Sequence, residues 1–239
     1  MSAATPSTAS STSCTSPSPT PAADPPLQGE AAKRWAAALG DDHAPATDDP
    51  PGSRFAWCVT GSGHYLEESM ALAARLPNVD LFLSGAADEV LPLYGMRLEL
   101  LRERYRVFRD KSASSVPVGR LYAEAYHTVV IAPATSNTVA KCAFGLSDTL
   151  PTNMFAQAGK LGVPSLVFAC DTEPVVITKA PRSHATEWLT LRPRGIELEN
   201  VERLKRIDHC QVLSSPAELE AALDARLKAL KLAWNTSSS

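Results

Sequence analysis

A short glycine-rich segment, Thr60-Gly-Ser-Gly-His64, follows an apolar run that predicts a strand and precedes a sequence that predicts a helix. Small residues at such a turn let backbone N–H groups approach a phosphate at the helix N-terminus. We therefore expect Gly61, Ser62 and Gly63 to contact a phosphate or the edge of a flat ring. Because the spacing fits neither G-x-G-x-x-G nor the Walker loop, tight packing of the turn is the alternative interpretation.

Two further segments place small polar residues directly after predicted strands. Ser84 follows the apolar run 79–83, and it could also be a plain helix N-cap. The segment 132–138 is a longer series of small, hydroxyl and amide side chains, with the candidates Ala134, Thr135, Ser136, Asn137 and Thr138. Such groups suit the polar edge of a flat heterocycle, whereas the alternative is an ordinary capped helix start.

The elements that would position these loops alternate along the chain. The pattern predicts strands at 54–60, 79–83, 105–108, 127–132, 164–169 and 211–213, with a further run at 188–191. Between them lie predicted helices at 65–76, 85–104 with an interruption, 139–144, 153–161, 201–207 and 216–232. This alternation predicts a single doubly wound α/β domain with a parallel sheet, and ligands bind such sheets outside the carboxyl ends of the strands.

Composition divides the chain into a tail and a body. Residues 1–53 are rich in Ser, Thr, Pro, Ala and acidic residues, which predicts a disordered tail, although 29–39 could form a short helix. Two basic and six acidic residues give this tail a charge of −4, against −3 for the whole chain. The body, a domain over 54–234 with a disordered end at 235–239, is therefore nearly neutral, which argues against binding nucleic acid or an anionic membrane.

The five cysteines are scattered and never form a C-x-x-C pair, which predicts neither a disulfide framework nor a metal site. We interpret Cys142 and Cys170 as small core residues, with Cys170 close to the ligand-facing edge. The sequence has no apolar run long enough to span a membrane and no secretory signal. We therefore expect a soluble, cytoplasmic protein.

In their order along the chain, these motifs resemble a known family, the FMN-binding flavoproteins that include the cysteine decarboxylases of coenzyme A and lantibiotic synthesis. The resemblance spans roughly residues 54–173 and depends on the segments 60–63, 84, 132–141, 145–148 and 152–153. Segments 61–69, 89–95 and 136–141 are most similar to the dihydromethanopterin reductase branch. This resemblance implies FMN-dependent reduction of dihydromethanopterin to tetrahydromethanopterin in one-carbon metabolism.

The resemblance also implies roles for individual residues. Gly61, Ser62, Gly63 and Ser84 would lie near the ribityl phosphate, and residues 134–138 would hold the flavin. Asp148 and Asn153 would border the pocket, from the adjoining loop or from the next subunit. His64 and Tyr94 are candidate substrate contacts, but His64 could be an exposed helix residue and Tyr94 could be packing. Asp171 could bind a hydroxyl or cap the next segment.

At one position this sequence departs from the pattern of the family's decarboxylases, and this departure bears on which of the family's activities we expect. Counting back from Ile131 to the position where the decarboxylases carry a catalytic histidine reaches Gly119, and His127 lies too close to the core to substitute. Cysteine decarboxylation is therefore disfavoured. It remains an alternative beside flavin prenyl transfer and a non-enzymatic electron shuttle.

The implied partners follow from the chemistry. A flavin can pass hydride to a pterin, so no catalytic side chain is strictly required. The electron donor is left open between NAD(P)H and a redox protein. The resemblance implies self-association as a trimer or a larger assembly of trimers.

Overall fold

The computed structural model describes residues 50–110, 116–180 and 187–235. Over these residues the chain forms strands β1 to β8, which are Arg54–Val59, Val79–Leu83, Arg106–Arg109, Tyr126–Ala134, Ser165–Ala169, Val176–Lys179, Trp188–Leu191 and Cys210–Leu213. It also forms helices α1 to α8, which are Leu66–Arg75, Gly85–Val90, Leu98–Arg104, Gly119–Tyr122, Ser136–Ala143, Leu150–Lys160, Gly195–Leu204 and Pro216–Leu230.

Six of these strands form a parallel sheet in the order β3-β2-β1-β4-β5-β8. From β1 the chain adds β2 and β3 on one side of the sheet, and then β4, β5 and β8 on the other side. The point between β1 and β4 is therefore the switch point, where ligands bind in such folds. The predicted doubly wound α/β fold is thus confirmed. The strand predicted at 188–191 forms, but as β7 it pairs antiparallel with β6 in a separate two-stranded ribbon.

Helices cover both faces of the sheet. On β1, the side chains of Phe55 and Trp57 enter the core cluster shared with α1 and α8, whereas Ala56 and Cys58 enter the cluster shared with α5, α6 and α7. Because successive strand residues point to opposite faces, a strand buried on both sides must be apolar throughout. This explains why the sequence of β1 shows no alternation of apolar and polar residues.

A buried ionic cluster fastens the amino ends of neighbouring strands. The carboxylate of Asp80 on β2 is fully buried and accepts hydrogen bonds from Arg54 at 2.7 Å and from the Tyr126 hydroxyl at 2.7 Å. Arg106 on β3 lies 3.5 Å from the same carboxylate. The cluster therefore connects β1, β2, β3 and β4 at the edge opposite their carboxyl ends.

The predicted boundaries of the domain are partly covered by the described residues. The first strand begins at Arg54, as predicted, but residues 1–49 of the tail, with the possible helix at 29–39, lie outside the described residues. At the other end, Asn235 donates hydrogen bonds to carbonyls of Arg75 and Leu76, and residues 236–239 lie outside the described part. Within the described ranges, no helix combines the length and the apolar character needed to cross a membrane.

Candidate functional site

The loops after β1, β4 and β5 meet at the carboxyl edge of the sheet and face the β6–β7 ribbon. Between them lies an open cavity of about 230 Å³, here called the rim cleft. The strand loops line it with Gly61, Ser62, Gly63, His64, Thr135 and Asp171. The remaining lining residues are Tyr94, Thr178, Lys179, Leu189 and Leu191.

Thr60 connects the first two of these loops. Its buried hydroxyl donates to the carbonyl of Pro133 at 2.7 Å and accepts from the backbone N–H of Thr135 at 3.0 Å. The ends of β1 and β4 are therefore held in one relative position. The Thr135 hydroxyl in turn accepts from the Thr138 N–H at 3.2 Å and so caps α5.

The glycine loop itself is held by side chains from two directions. The thiol of Cys170 donates to the Ser62 hydroxyl at 3.2 Å, and that hydroxyl accepts from the backbone N–H of His64 at 3.2 Å. Gly63 lies against the Tyr94 ring, because a Cβ at this position would come within 1.8 Å of the Tyr94 hydroxyl. This loop therefore requires glycine at position 63 for close packing against Tyr94.

His64 is buried at the edge of the rim cleft, with its ring 3.7 Å from the Tyr65 ring centroid. Burial lowers the pKa of this imidazole, and the carboxylates of Asp171 and Glu68 oppose that change. Burial also raises the pKa of the Cys170 thiol to about 12, against the smaller effect of its bond to Ser62. At neutral pH the cleft therefore presents a histidine that favours its neutral form, and the Cys170 thiol buried behind the glycine loop stays protonated.

Tyr94 and Lys179 join the ribbon to the body of the protein. The Tyr94 hydroxyl donates to the Lys179 carbonyl at 3.4 Å, and the Lys179 ammonium lies 3.4 Å from Glu67 on α1. A second cavity, of about 260 Å³, adjoins the rim cleft between α1 and the ribbon and shares the side chains of His64 and Tyr94. Tyr94 thus lines both cavities while also serving as packing.

The structure brings some predicted site residues together and leaves others apart. Gly61, Ser62, Gly63, His64, Tyr94 and Thr135 line the rim cleft. Ser84 caps α2 through a hydrogen bond from the Ala87 N–H at 3.1 Å, and Ala134 is fully buried at the end of β4. Ser136 donates to Asp171 beside the cleft, Asn137 is exposed, and the Thr138 hydroxyl shares a hydrogen bond with that of Thr135.

The two residues expected to border the pocket lie elsewhere in this chain. Asp148 is exposed and pairs with Lys141 at 2.9 Å, and this hydrogen bond lowers the pKa of its carboxyl. Asn153 lies half-buried on α6, after a capping box formed by Thr149 and Thr152. Neither lines the rim cleft. Their predicted place beside the flavin would therefore need a neighbouring subunit, which was the second of the two options.

Sequence reasoning passed over two contributors to the site. Thr60 is predicted at the end of the first strand with no contact of its own, yet a hydroxyl at the end of a buried strand, before the glycine segment, was a signal for a connecting side chain. The ribbon strand β6 was not predicted, although Val175, Val176, Ile177 and Thr178 form a run of β-branched residues. Asp171, whose role was left open, accepts a hydrogen bond from Ser136.

The donors and acceptors present suit a flavin. Hydroxyls of Ser62 and Thr135 and the N-terminus of α5 offer hydrogen-bonding groups for polar ring edges, and Leu189 and Leu191 offer an apolar wall. The described residues contain no group of three or more side chains arranged to hold a metal ion. Fold and cleft together define a doubly wound α/β protein with a cleft, at the switch point of its sheet, whose lining suits a flat heterocyclic ligand.

The chain belongs to the flavoprotein family, whose sequence model matches residues 43–232. Proteins called dihydromethanopterin reductase (acceptor), from Methanosarcina mazei and Methanocaldococcus jannaschii, are 37% and 38% identical over 141 and 142 residues, or 54% of this chain. Those matches span only 59% and 58% of the two relatives.

A solved structure is still more similar. Burkholderia xenovorans DmrB in complex with FMN, described as a cubic protein cage for redox transfer, is 66% identical. It superimposes with a TM-score of 0.71, and the match covers 77% of this chain and 100% of that one. The resemblance to the FMN-binding flavoproteins that the motifs indicated is thus confirmed.

Proposed function

We propose that this protein is an FMN-dependent oxidoreductase that reduces dihydromethanopterin to tetrahydromethanopterin. The observation that carries this proposal is the 66% sequence identity to Burkholderia xenovorans DmrB, over the whole of that chain. The structure of DmrB contains FMN and is described as a cubic protein cage for redox transfer. The substrate is inferred from the names of the two dihydromethanopterin reductases, which are 37% and 38% identical to this chain over 141 and 142 residues. FMN is accordingly the cofactor.

Different residues of the rim cleft would bind different parts of FMN. Backbone N–H groups of the 61–63 loop and the hydroxyl of Ser62 would bind near the phosphate, and Thr135 with the start of α5 would bind the polar ring edge. Thr60 fixes the relative position of these two loops. When bound, FMN supplies hydride transfer, so the protein needs to contribute binding and orientation.

Two positions, Gly119 and His127, bear on the alternative activities. Gly119, which stands where the decarboxylases carry their catalytic histidine, is the first residue of α4. His127 lies near the amino end of β4, against Phe55 and roughly 23 Å along the strand from Ala134. Neither position offers an imidazole to the rim cleft, which supports hydride transfer over decarboxylation.

Self-association is part of the proposal. Large apolar side chains are exposed beside the rim cleft, with Ile177 at 63% and Trp188 at 58%. Exposed apolar patches of this kind mark interaction sites. We expect a homo-oligomer whose neighbouring subunit covers the ribbon and completes the flavin site, and light scattering of the purified chain would measure its mass.

The redox environment is inferred from the cysteines. Cys58, Cys142, Cys170 and Cys210 are free thiols in the described part of the chain. Free thiols are typical of a reducing compartment, and we therefore place the protein in the cytoplasm. The electron donor stays open between NAD(P)H and a redox protein.

The direct test uses the full-length protein. We expect the purified chain to show flavin absorbance and, after anaerobic reduction, to be reoxidised by dihydromethanopterin with formation of the tetrahydro product. A matched reaction without pterin controls for oxygen leakage. Protein that contains FMN but is not reoxidised by the pterin would overturn the proposed substrate. Carbon dioxide released from a peptidyl-cysteine, or a prenylated flavin in the extract, would assign the chain to an alternative activity.

A further inference from the structure

Asp171 presents a carboxylate to the rim cleft at the end of β5. It is half-buried and lies among the lining residues, with His64 and Thr135 nearby on the strand loops. Its Oδ2 accepts a hydrogen bond from the Ser136 hydroxyl. Among the described residues, that is the hydrogen bond this carboxylate makes, so its Oδ1 remains available to a ligand.

Ser136 gives the carboxylate a defined orientation. The serine is the first residue of α5, whose N-cap Thr135 is in turn held by Thr60. Cys170, the neighbour of Asp171, is fixed from the other side by its bond to Ser62 and by its N–H, which donates to the Ala134 carbonyl at 3.0 Å. A carboxylate held on rigid elements loses little conformational freedom when it binds a ligand.

A carboxylate discriminates between the two ring systems that the proposed reaction brings together. The pyrimidine edge of a flavin presents an N–H between two carbonyl oxygens, and those oxygens repel a carboxylate. The corresponding edge of a pterin presents an N3–H beside a 2-amino group. Two adjacent donors match the two oxygens of a carboxylate in a bidentate, charge-assisted pair.

Building on the proposed function, we infer that Asp171 is the specificity-determining residue for the pterin, binding its N3–H and 2-amino groups, with Ser136 as the positioning residue. The flavin is then left to the hydroxyls and backbone N–H groups of the other loops. Selection acts on the 2-amino group. An analogue with oxygen at that position would place an acceptor against the carboxylate.

The test compares pterin with lumazine, its 2-oxo analogue, by titration calorimetry on the FMN-loaded full chain. We expect the wild type to bind pterin about ten- to hundredfold more tightly than lumazine, the range expected of hydrogen bonds to a charged group. In Asp171→Asn this preference should disappear or reverse, because the amide N–H can donate to the 2-oxo group. Glu173→Gln neutralises an exposed carboxylate of the same loop outside the cleft lining, and it should keep the preference.

The FMN content of each variant separates the alternatives. An unchanged pterin preference in Asp171→Asn overturns the inference, as does loss of FMN from this variant, which would assign the carboxylate to the flavin. Equal weakening of pterin and lumazine in that variant would also overturn it, since it indicates a structural role. A wild-type protein that retains FMN but binds neither pterin nor lumazine overturns the proposed substrate itself. This outcome differs from failure of the inference about Asp171 because it is seen in the wild type, without any substitution.

Discussion

Thr60 and Thr135, at the ends of two neighbouring strands, share a hydrogen bond of 3.0 Å from the backbone N–H of Thr135 to the buried hydroxyl of Thr60. The same hydroxyl donates to the Pro133 carbonyl at 2.7 Å. One side chain therefore sets the spacing between the glycine loop and the start of α5. The protein's own hydrogen bonds therefore contribute to this spacing.

Replacing Thr60 with valine should weaken both the fold and flavin binding. The substitution keeps the shape but leaves a buried N–H and a buried carbonyl without their partner, at a cost of about 1–3 kcal/mol. Urea unfolding measures the first effect and fluorescence titration with FMN the second. Thr60→Ser, which retains the hydroxyl, should lie close to the wild type in both measurements, and equal losses in the two variants would contradict the role of the hydroxyl.

Gly63→Ala should disturb the glycine loop through a collision. The added Cβ would lie 1.8 Å from the Tyr94 hydroxyl, so the ring or the loop must move, at roughly 1–3 kcal/mol for overpacking. We expect a lower urea midpoint and weaker FMN binding. Gly159→Ala is the matched control, because a Cβ there meets nothing within 4 Å and lies in a helix, where alanine is favoured by up to about 1 kcal/mol. A Gly63→Ala variant as stable as wild type would show that the contact relaxes freely.

Stability should fall as the pH is lowered from about 6.5 towards 4. Burial, followed by the positive charge of Arg226, lowers the pKa of His127 from 6.5 to about 4. The unfolded chain thus takes up a proton in this window and the folded chain does not, which favours unfolding. In His127→Gln the urea midpoint should depend less on pH between these values. Parallel pH curves for the variant and the wild type would be inconsistent with this shift.

Cys170 should react slowly with iodoacetamide in the folded protein. Its pKa of about 12 leaves very little thiolate at neutral pH, and its side chain is buried. Mass spectrometry after a timed exposure should find it far less modified than in urea-unfolded protein. Cys170→Ser keeps a donor for Ser62 and should retain the flavin. Rapid labelling of the native thiol would indicate a reactive cysteine in place of a structural one.

Much of the fold was predictable because the strands of the parallel sheet are buried on both faces. Val79–Leu83, buried at every residue, has the predicted bounds. Trp188–Leu191 also has the predicted bounds, although it is largely exposed in the ribbon. Helix starts were less accurate. The helix that begins at Leu150 was predicted only from Asn153, since its start depends on the capping box of Thr149 and Thr152, which precedes the apolar run.

The site was predictable in part, for a different reason. Loops that follow neighbouring parallel strands must converge, so the meeting of Gly61 and Thr135 follows from topology. The contribution of the ribbon does not, because Val176–Lys179 and Trp188–Leu191 pair antiparallel in a separate sheet, outside the alternation of strands and helices that predicts the parallel sheet. Asp148 does not line the rim cleft of its own chain, so its proposed place beside a flavin would involve a neighbouring subunit, which local sequence pattern does not encode.

The ionic cluster around Asp80 allows the two edges of the sheet to change independently. Because Arg54, Arg106 and Tyr126 connect four strands at the amino edge, the sheet does not depend on the carboxyl-edge loops alone, to which Thr60 adds a link between β1 and β4. Exchange of those loops for others of similar length should leave the sheet assembled. The same scaffold could then be adapted to new ring-shaped ligands by redesigning the carboxyl edge alone.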